Sequence, residues 1–121
     1  MKVRRKELGR KAEKAAKNYL EQCGFHVEFV NWRCQQGELD LIAWEGNTLV
    51  FVEVRSRSTA GQRFGTALEA VDQRKQRQVR HVAAMFLQTL KRPFTSLRFD
   101  VIAVEFHEGE HAEITHIRNA F

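Results

Sequence analysis

Proline, cysteine and long apolar runs are scarce in this sequence, and each scarcity argues against a class of protein. Pro occurs once and Cys twice in 121 residues. Cys23 and Cys34 lack the CxxC spacing of zinc and redox sites, so we predict two reduced thiols in a cytoplasmic protein. No run approaches the ~20 apolar residues of a membrane-spanning helix, and the basic start MKVRRKELGRK does not resemble a signal peptide. We therefore expect no membrane segment.

Several catalytic motifs are also missing. The sequence has no P-loop, no dinucleotide-binding fingerprint and no GxSxG elbow, which argues against the common NTPase, dehydrogenase and hydrolase classes. No catalytic role is predicted for the histidines. Positive charge is abundant instead, because 20 Lys and Arg against 15 Asp and Glu give a net charge of +5. A polyanion such as DNA is a natural partner, although many soluble proteins are mildly basic.

The apolar pattern predicts a single domain, residues 1–121, with two helices and five strands. Helices are predicted from Arg4 to Cys23 and from an N-cap at Asp72 to about Leu90. Strands are predicted at 25–30, 38–44, 48–55, 96–106 and 111–118, with loops at 31–37 and 56–65 and a turn at 108–110. This order predicts an α/β fold, in which two helices flank a mixed central sheet of about five strands.

The hairpin ELDLIAWEGNTLVFVEVR holds two carboxylates where a buried strand usually carries Val or Ile. If Gly46–Asn47 forms a two-residue turn, counting outward places Asp40 opposite Glu53. Directly opposed carboxylates destabilise a sheet unless something compensates. A Mg²⁺ or Mn²⁺ ion would compensate, and such an ion can also activate water for phosphodiester hydrolysis. The alternative is structural: Glu53 pairs with Arg55 or a helix cation, and Asp40 lies at a solvated strand end.

Further charged side chains complete the candidate site. Glu13, at the edge of the first helix's apolar stripe, either points over the sheet edge or is simply solvated. Glu38 could be a third metal ligand, but the same register places it opposite Arg55, so a cross-strand salt bridge is expected there. Arg55 could instead clamp a phosphate oxygen. The predicted nucleic-acid-binding side chains are Arg55, Arg57, Arg63, Arg74, Lys75 and Arg77.

The order of these blocks resembles one family closely. GRKAEKAAKNYLEQCGF, NWRCQQGELDLIA, TLVFVEVRSR, FGTALEAVDQRKQRQV and RFDVIAV are similar to successive blocks of the YraN-like family, small bacterial proteins of unassigned role. The resemblance covers nearly the whole chain. An acidic residue on one strand, Glu-x-Lys on the next and a Glu on the preceding helix also form the active-site pattern of the PD-(D/E)XK nuclease superfamily. YraN-like proteins are similar to its archaeal Holliday-junction resolvases.

The resemblance implies a restriction-endonuclease-like fold and a metal-dependent DNA endonuclease. It implies metal binding at Asp40 and Glu53, an accessory catalytic role for Glu13, and the motif Lys position for Arg55. Arg55 departs from the pattern, because a guanidinium stays protonated and cannot readily act as a base. The attacking water would then depend on the metal, or on Lys75 from the second helix.

Three functions follow from these expectations. The first is a Mg²⁺- or Mn²⁺-dependent endonuclease acting on branched or otherwise structured DNA, for which symmetrical cutting implies a two-fold homodimer. The second is a non-catalytic DNA-binding module that keeps the nuclease fold but has lost turnover through Arg55. The third is a scaffold whose basic face holds an acidic protein.

Overall fold

The computed structural model describes residues 2–58, 71–107 and 112–121, with the side chains of 2–5, 57 and 58 excepted. It confirms an α/β fold of two helices and five strands. The helices are α1 (Lys2–Gln22) and α2 (Gln73–Thr89). The strands are β1 (His26–Cys34), β2 (Gly37–Glu45), β3 (Thr48–Ser58), β4 (Ser96–Phe106) and β5 (Ala112–Ile117). Within these ranges, neither helix is both long and apolar enough to cross a membrane.

The five strands form one mixed sheet in the order β1-β2-β3-β4-β5. Neighbouring strands are antiparallel except for β3 and β4, which run parallel. A parallel pair needs a crossover connection, and α2 lies in the segment between those two strands. This arrangement is consistent with the restriction-endonuclease-like fold that the sequence predicted.

Each helix covers one face of the sheet, and the two faces carry separate apolar clusters. Ala12, Ala16 and Leu20 of α1 are fully buried against one face, as the apolar stripe of the sequence predicted. Val79, Val82, Ala83 and Phe86 of α2 pack on the opposite face. The central strands therefore bury side chains on both faces, which is why their sequences read as almost continuous apolar runs.

Strand β1 extends further than predicted, because it includes residues 31–34 that the sequence indicated as loop. Its pairing with β2 shifts register between Val27 and Phe29, and Asn31 adopts a left-handed backbone with φ of 57°. Both irregularities break the alternation of apolar and polar side chains on which strand prediction depends. The predicted turn at 108–110 and most of the predicted loop at 56–65 lie outside the described residues.

Candidate active site

The hairpin of β2 and β3 has the register that the sequence predicted near its turn. Glu45 pairs with Thr48 across Gly46 and Asn47, and the ladder continues to the pair of Leu41 and Val52. Asp40 and Glu53 come next on the two strands but lie beyond the regular ladder, and the charge of Asp40 reaches the Glu53 carboxylate. Asp40 bonds to the backbone of β3 through its side chain: its Oδ2 accepts a hydrogen bond from the Val54 N–H at 2.9 Å.

Glu53 is one of two buried acidic residues among those described, with only 2% of its surface exposed. It follows Leu49 and Phe51 on the sheet face that α2 covers. Burial raises the pKa of Glu53 to about 7, and the nearby charge of Asp40 adds to the rise. The cations of Lys75 and Arg55 oppose that rise without cancelling it. The Glu53 carboxylate therefore lies in surroundings that incompletely stabilise its charge.

The charge of the Asp40 carboxylate is also incompletely stabilised. Its pKa is raised to about 6, first by burial and then by the charge of Glu13, while the Val54 N–H, Lys75 and Arg55 lower it. Asp40 is not at a solvated strand end, as the structural alternative required. Two carboxylates with raised pKa values, on neighbouring strands, are a common feature of catalytic and metal-binding sites.

Glu13 points to the sheet edge rather than to bulk solvent. Its Oε1 accepts a hydrogen bond from Asn31 Nδ2 at 2.9 Å, and Glu13 is half-buried. The contribution of Glu13 to the raised pKa of Asp40 places its carboxylate within electrostatic reach of that side chain. Asn31 was not predicted as a site residue. No sequence pattern indicates that a strand residue with a left-handed backbone will hold a side chain of a distant helix.

Arg55 has a different partner from the one predicted. Its Nη2 is 4.0 Å from Glu53 Oε1, whereas Glu38 pairs with Arg33 across β1 and β2 at 3.0 Å. The predicted salt bridge between Glu38 and Arg55 is wrong, because the regular β2–β3 ladder ends at Leu41 and counting outward no longer holds beyond that point. Arg55 Nε is buried and has no hydrogen-bond partner among the described residues, so a donor at the site lacks a protein acceptor there.

Helix α2 brings Lys75 to the same carboxylate. Asp72 caps the helix as predicted, with its Oδ1 accepting from the Lys75 N–H at 2.9 Å. Lys75 Nζ then lies 3.6 Å from Glu53 Oε1. Lys75 also borders a cavity of about 450 Å³, together with Asp72, Arg74 and Gln78. The ammonium group that Arg55 does not supply is thus present beside Glu53, on a different element.

The remaining predicted DNA contacts are only partly within the described structure. Arg74 and Arg77 are exposed on α2, with Arg74 bordering the cavity beside Lys75. Arg63 lies outside the described residues, and so does the side chain of Arg57. Among the described residues, the cations near the candidate site are therefore grouped on β3 and on the first turns of α2.

The donor set fits a hard divalent cation. Asp40 and Glu53 offer oxygen ligands only, which Mg²⁺ and Mn²⁺ prefer, and burial raises both pKa values although Lys75 and Arg55 lower them. The partnerless N–H of Arg55 fits a phosphate oxygen. The structural alternative accounts for two loose ion pairs to Glu53, at 3.6 and 4.0 Å, but not for this unpaired donor.

Asp100, the other buried carboxylate besides Glu53 among the described residues, was not predicted from the sequence. It is fully buried and accepts hydrogen bonds from Arg98 Nε at 2.9 Å and from the Asn119 N–H at 3.0 Å. Its Oδ2 is also 2.8 Å from His116 Nε2, and the other ring nitrogen of His116 is 3.0 Å from the Tyr19 hydroxyl. These partners lower the pKa of Asp100 despite its burial. The Asp within the apolar run RFDVIAV was the available signal.

Comparisons with known proteins identify a family without a stated activity. The model of "Uncharacterised protein family UPF0102" matches residues 12–104. A UPF0102 protein of Desulforamulus reducens is 48% identical over 124 residues, which cover 99% of each chain. UPF0102 proteins of Rhodococcus opacus and Caldicellulosiruptor saccharolyticus are 43% and 40% identical, over 94% and 98% of this chain and 95% and 100% of theirs.

Proposed function

Since the chain belongs to the uncharacterised protein family UPF0102, the YraN family that the sequence blocks indicated, we propose its function from its own residues. It is a Mg²⁺- or Mn²⁺-dependent DNA endonuclease that hydrolyses phosphodiester bonds. One observation supports this most strongly: on adjacent strands, the half-buried Asp40 and the buried Glu53 have raised pKa values, and Lys75 and Arg55 lie beside Glu53. Two acids and two cations at one point provide metal ligands and phosphate contacts together.

Asp40 and Glu53 would hold the ion. Bound there, it would lower the pKa of a water molecule and polarise the phosphate. The hydrogen bond from the Val54 N–H fixes one Asp40 oxygen, and Glu13 is held at the same edge by Asn31. These contacts orient the acidic side chains before substrate arrives, which reduces the reorganisation that binding would require.

Arg55 and Lys75 would together take the role that the Lys has in the nuclease pattern. Arg55 is suited to donating Nε–H and Nη–H bonds to a phosphate oxygen and to stabilising charge in the transition state. Lys75 approaches Glu53 from α2 and can favour the ionised form of that carboxylate. Lys75 is therefore the residue placed to orient the attacking water.

The substrate is DNA, held through its phosphates by four arginines, Arg57, Arg63, Arg74 and Arg77. A net charge of +5 favours association with a polyanion, and such binding should weaken steeply with added salt. Branched or structured DNA is the substrate that the superfamily resemblance indicates. Symmetrical cutting of a junction by one such site per chain would require a two-fold homodimer.

A non-catalytic DNA-binding module is the second candidate, and Arg55 in place of the motif Lys favours it. The two candidates differ in turnover. Purified protein is incubated with duplex, flap and four-way DNA in Mg²⁺ or Mn²⁺, as wild type, Asp40→Asn and Glu38→Gln. Glu38 is the matched control, since it lies on the same strand but pairs with Arg33.

An endonuclease should cut at least one of these DNAs, lose cutting in Asp40→Asn, and keep it in Glu38→Gln. Salt-sensitive binding without cleavage by any variant would favour the DNA-binding module. Cleavage that persists in Asp40→Asn would refute the assignment of the metal site.

A further inference from the structure

We propose that Glu105, His107 and Glu113 form a second metal site, which takes Zn²⁺ and ties the end of β4 to β5. One ligand atom from each of the three side chains lies within 4.8 Å of those from the other two. His107 Nε2 is 3.2 Å from Glu113 Oε1. Among the residues that the structure describes, this is the one group of three or more such side chains at this spacing.

Strand pairing explains the convergence. Glu105 and Glu113 are directly opposite each other in the antiparallel β4–β5 ladder. His107 follows two residues after Glu105, so the alternation of side chains directs it to the same face. Opposed like charges destabilise a sheet, and one imidazole carries at most a single positive charge, which cannot offset two carboxylates. A divalent cation coordinated by all three side chains would offset both charges.

The ligand chemistry selects the ion. Two carboxylate oxygens and one imidazole nitrogen match the ligands of Zn²⁺, and three protein ligands leave a position for water. Mg²⁺ takes oxygen ligands and keeps most of its waters, so the site should discriminate against it. The segment HEGEH at 107–111 has the HExxH zinc spacing, but that motif works on a helix, whereas His107 follows a strand. The strand partner Glu113 supplies a ligand instead.

This site is separate from the one at Asp40 and Glu53. Val101 is the parallel partner of Glu53, and Glu105 lies four residues further along β4, about 13 Å at ~3.3 Å per residue. Two-metal catalysis needs ions about 4 Å apart. The Zn²⁺ would therefore act on structure and charge rather than on the reacting phosphate, and the inference does not rest on the proposed function.

The test is zinc binding by tag-free protein, measured by calorimetry. A background variant removes both thiols and the two carboxylates of the candidate active site: Cys23→Ser, Cys34→Ser, Asp40→Asn and Glu53→Gln. This background should still bind one Zn²⁺ per chain. Adding His107→Ala or Glu113→Gln should weaken binding by at least about tenfold, because losing a residue that only hydrogen-bonds to a metal ligand already weakens binding by about that much. Mg²⁺ should give no such binding.

Unfolding in a chelator separates a lost ligand from a damaged fold. Glu113→Gln removes a like-charge contact, so its metal-free stability should equal or exceed that of the background, while the stabilisation by Zn²⁺ should disappear. The competing explanation is that a protein cation already neutralises Glu105; Glu105→Gln would then lower metal-free stability. The proposal would be overturned by such a loss of stability in Glu105→Gln or by a background variant that takes up no Zn²⁺. Zn²⁺ uptake that neither His107→Ala nor Glu113→Gln changes would also overturn it.

Discussion

The stability of the metal-free protein should fall as the pH rises from 5 to 8, and Glu53 should cause most of the fall. A carboxyl group with a raised pKa binds more protons in the folded than in the unfolded state. The stability it contributes is complete below the unfolded pKa and is lost as the pH rises through the folded pKa. For Glu53 that window runs from 4.5 to about 7.

The magnitude follows from the width of this window. At 1.36 kcal/mol per pH unit, the interval between 4.5 and about 7 corresponds to about 3 kcal/mol of unfolding free energy. Asp40 acts in the same direction at lower pH, since its pKa rises from 3.8 to about 6. Asp100 and Glu45 act oppositely, but their pKa values are lowered, so their contribution is lost only in more acidic solution.

The assay is urea unfolding in a chelator at several pH values between 5 and 8, with wild type, Glu53→Gln and the control Glu38→Gln. Glu53→Gln cannot ionise, and the series begins at pH 5 rather than 4.5, so its stability should vary with pH by about 2.5 kcal/mol less than that of wild type. Glu38→Gln removes the same formal charge from an exposed position and should retain the wild-type slope. A flat or rising wild-type profile, or equal slopes for wild type and Glu53→Gln, would refute the reasoning.

Three other predictions follow from named contacts. Lys75→Met removes the cation 3.6 Å from Glu53, so it should slow DNA cleavage by at least about tenfold and raise the pKa of Glu53 further. Cleavage kinetics measure the first effect, and a pH titration of the carboxyl groups by NMR measures the second. Unchanged kinetics would contradict the role of Lys75. Asp100→Ala should cost about 3–5 kcal/mol in urea unfolding, because it leaves the buried partners of Asp100, among them His116, without their acceptor; a cost under about 1 kcal/mol would contradict this. Gly37→Ala should destabilise by about 1 kcal/mol or more in the same assay, since φ is 144° and the new Cβ would lie 3.1 Å from Val82 Cγ2; an unchanged midpoint would contradict it.

Local interactions made part of this structure predictable. The Gly46–Asn47 turn, the pairing of Glu45 with Thr48 and the Asp72 cap each depend on residues only a few positions apart, and all three predictions are confirmed. The assignment of the chain to its family is confirmed as well, because that too depends on the order of residues alone.

Predictions that extended a local rule over a longer distance were less successful. Glu38 was assigned to Arg55 by continuing the hairpin register, but the regular pairing ends at Leu41 and Glu38 pairs with Arg33 on β1. The bulge in β1 and the left-handed Asn31 change the register in ways that alternating hydrophobicity does not encode. For the same reason the sequence indicated a loop where β1 continues.

By itself, the sequence determined which side chains are available: two carboxylates on a hairpin, an acidic residue on the first helix, and cations along the second. Only the tertiary structure decided how they meet, with Lys75 3.6 Å from Glu53, Glu38 paired with Arg33, and Asp40 bonded to the Val54 N–H. The physical reason is range, since turns and caps follow from neighbouring residues. A burial-driven pKa or an ion pair between a helix and a strand depends on packing that brings distant segments together.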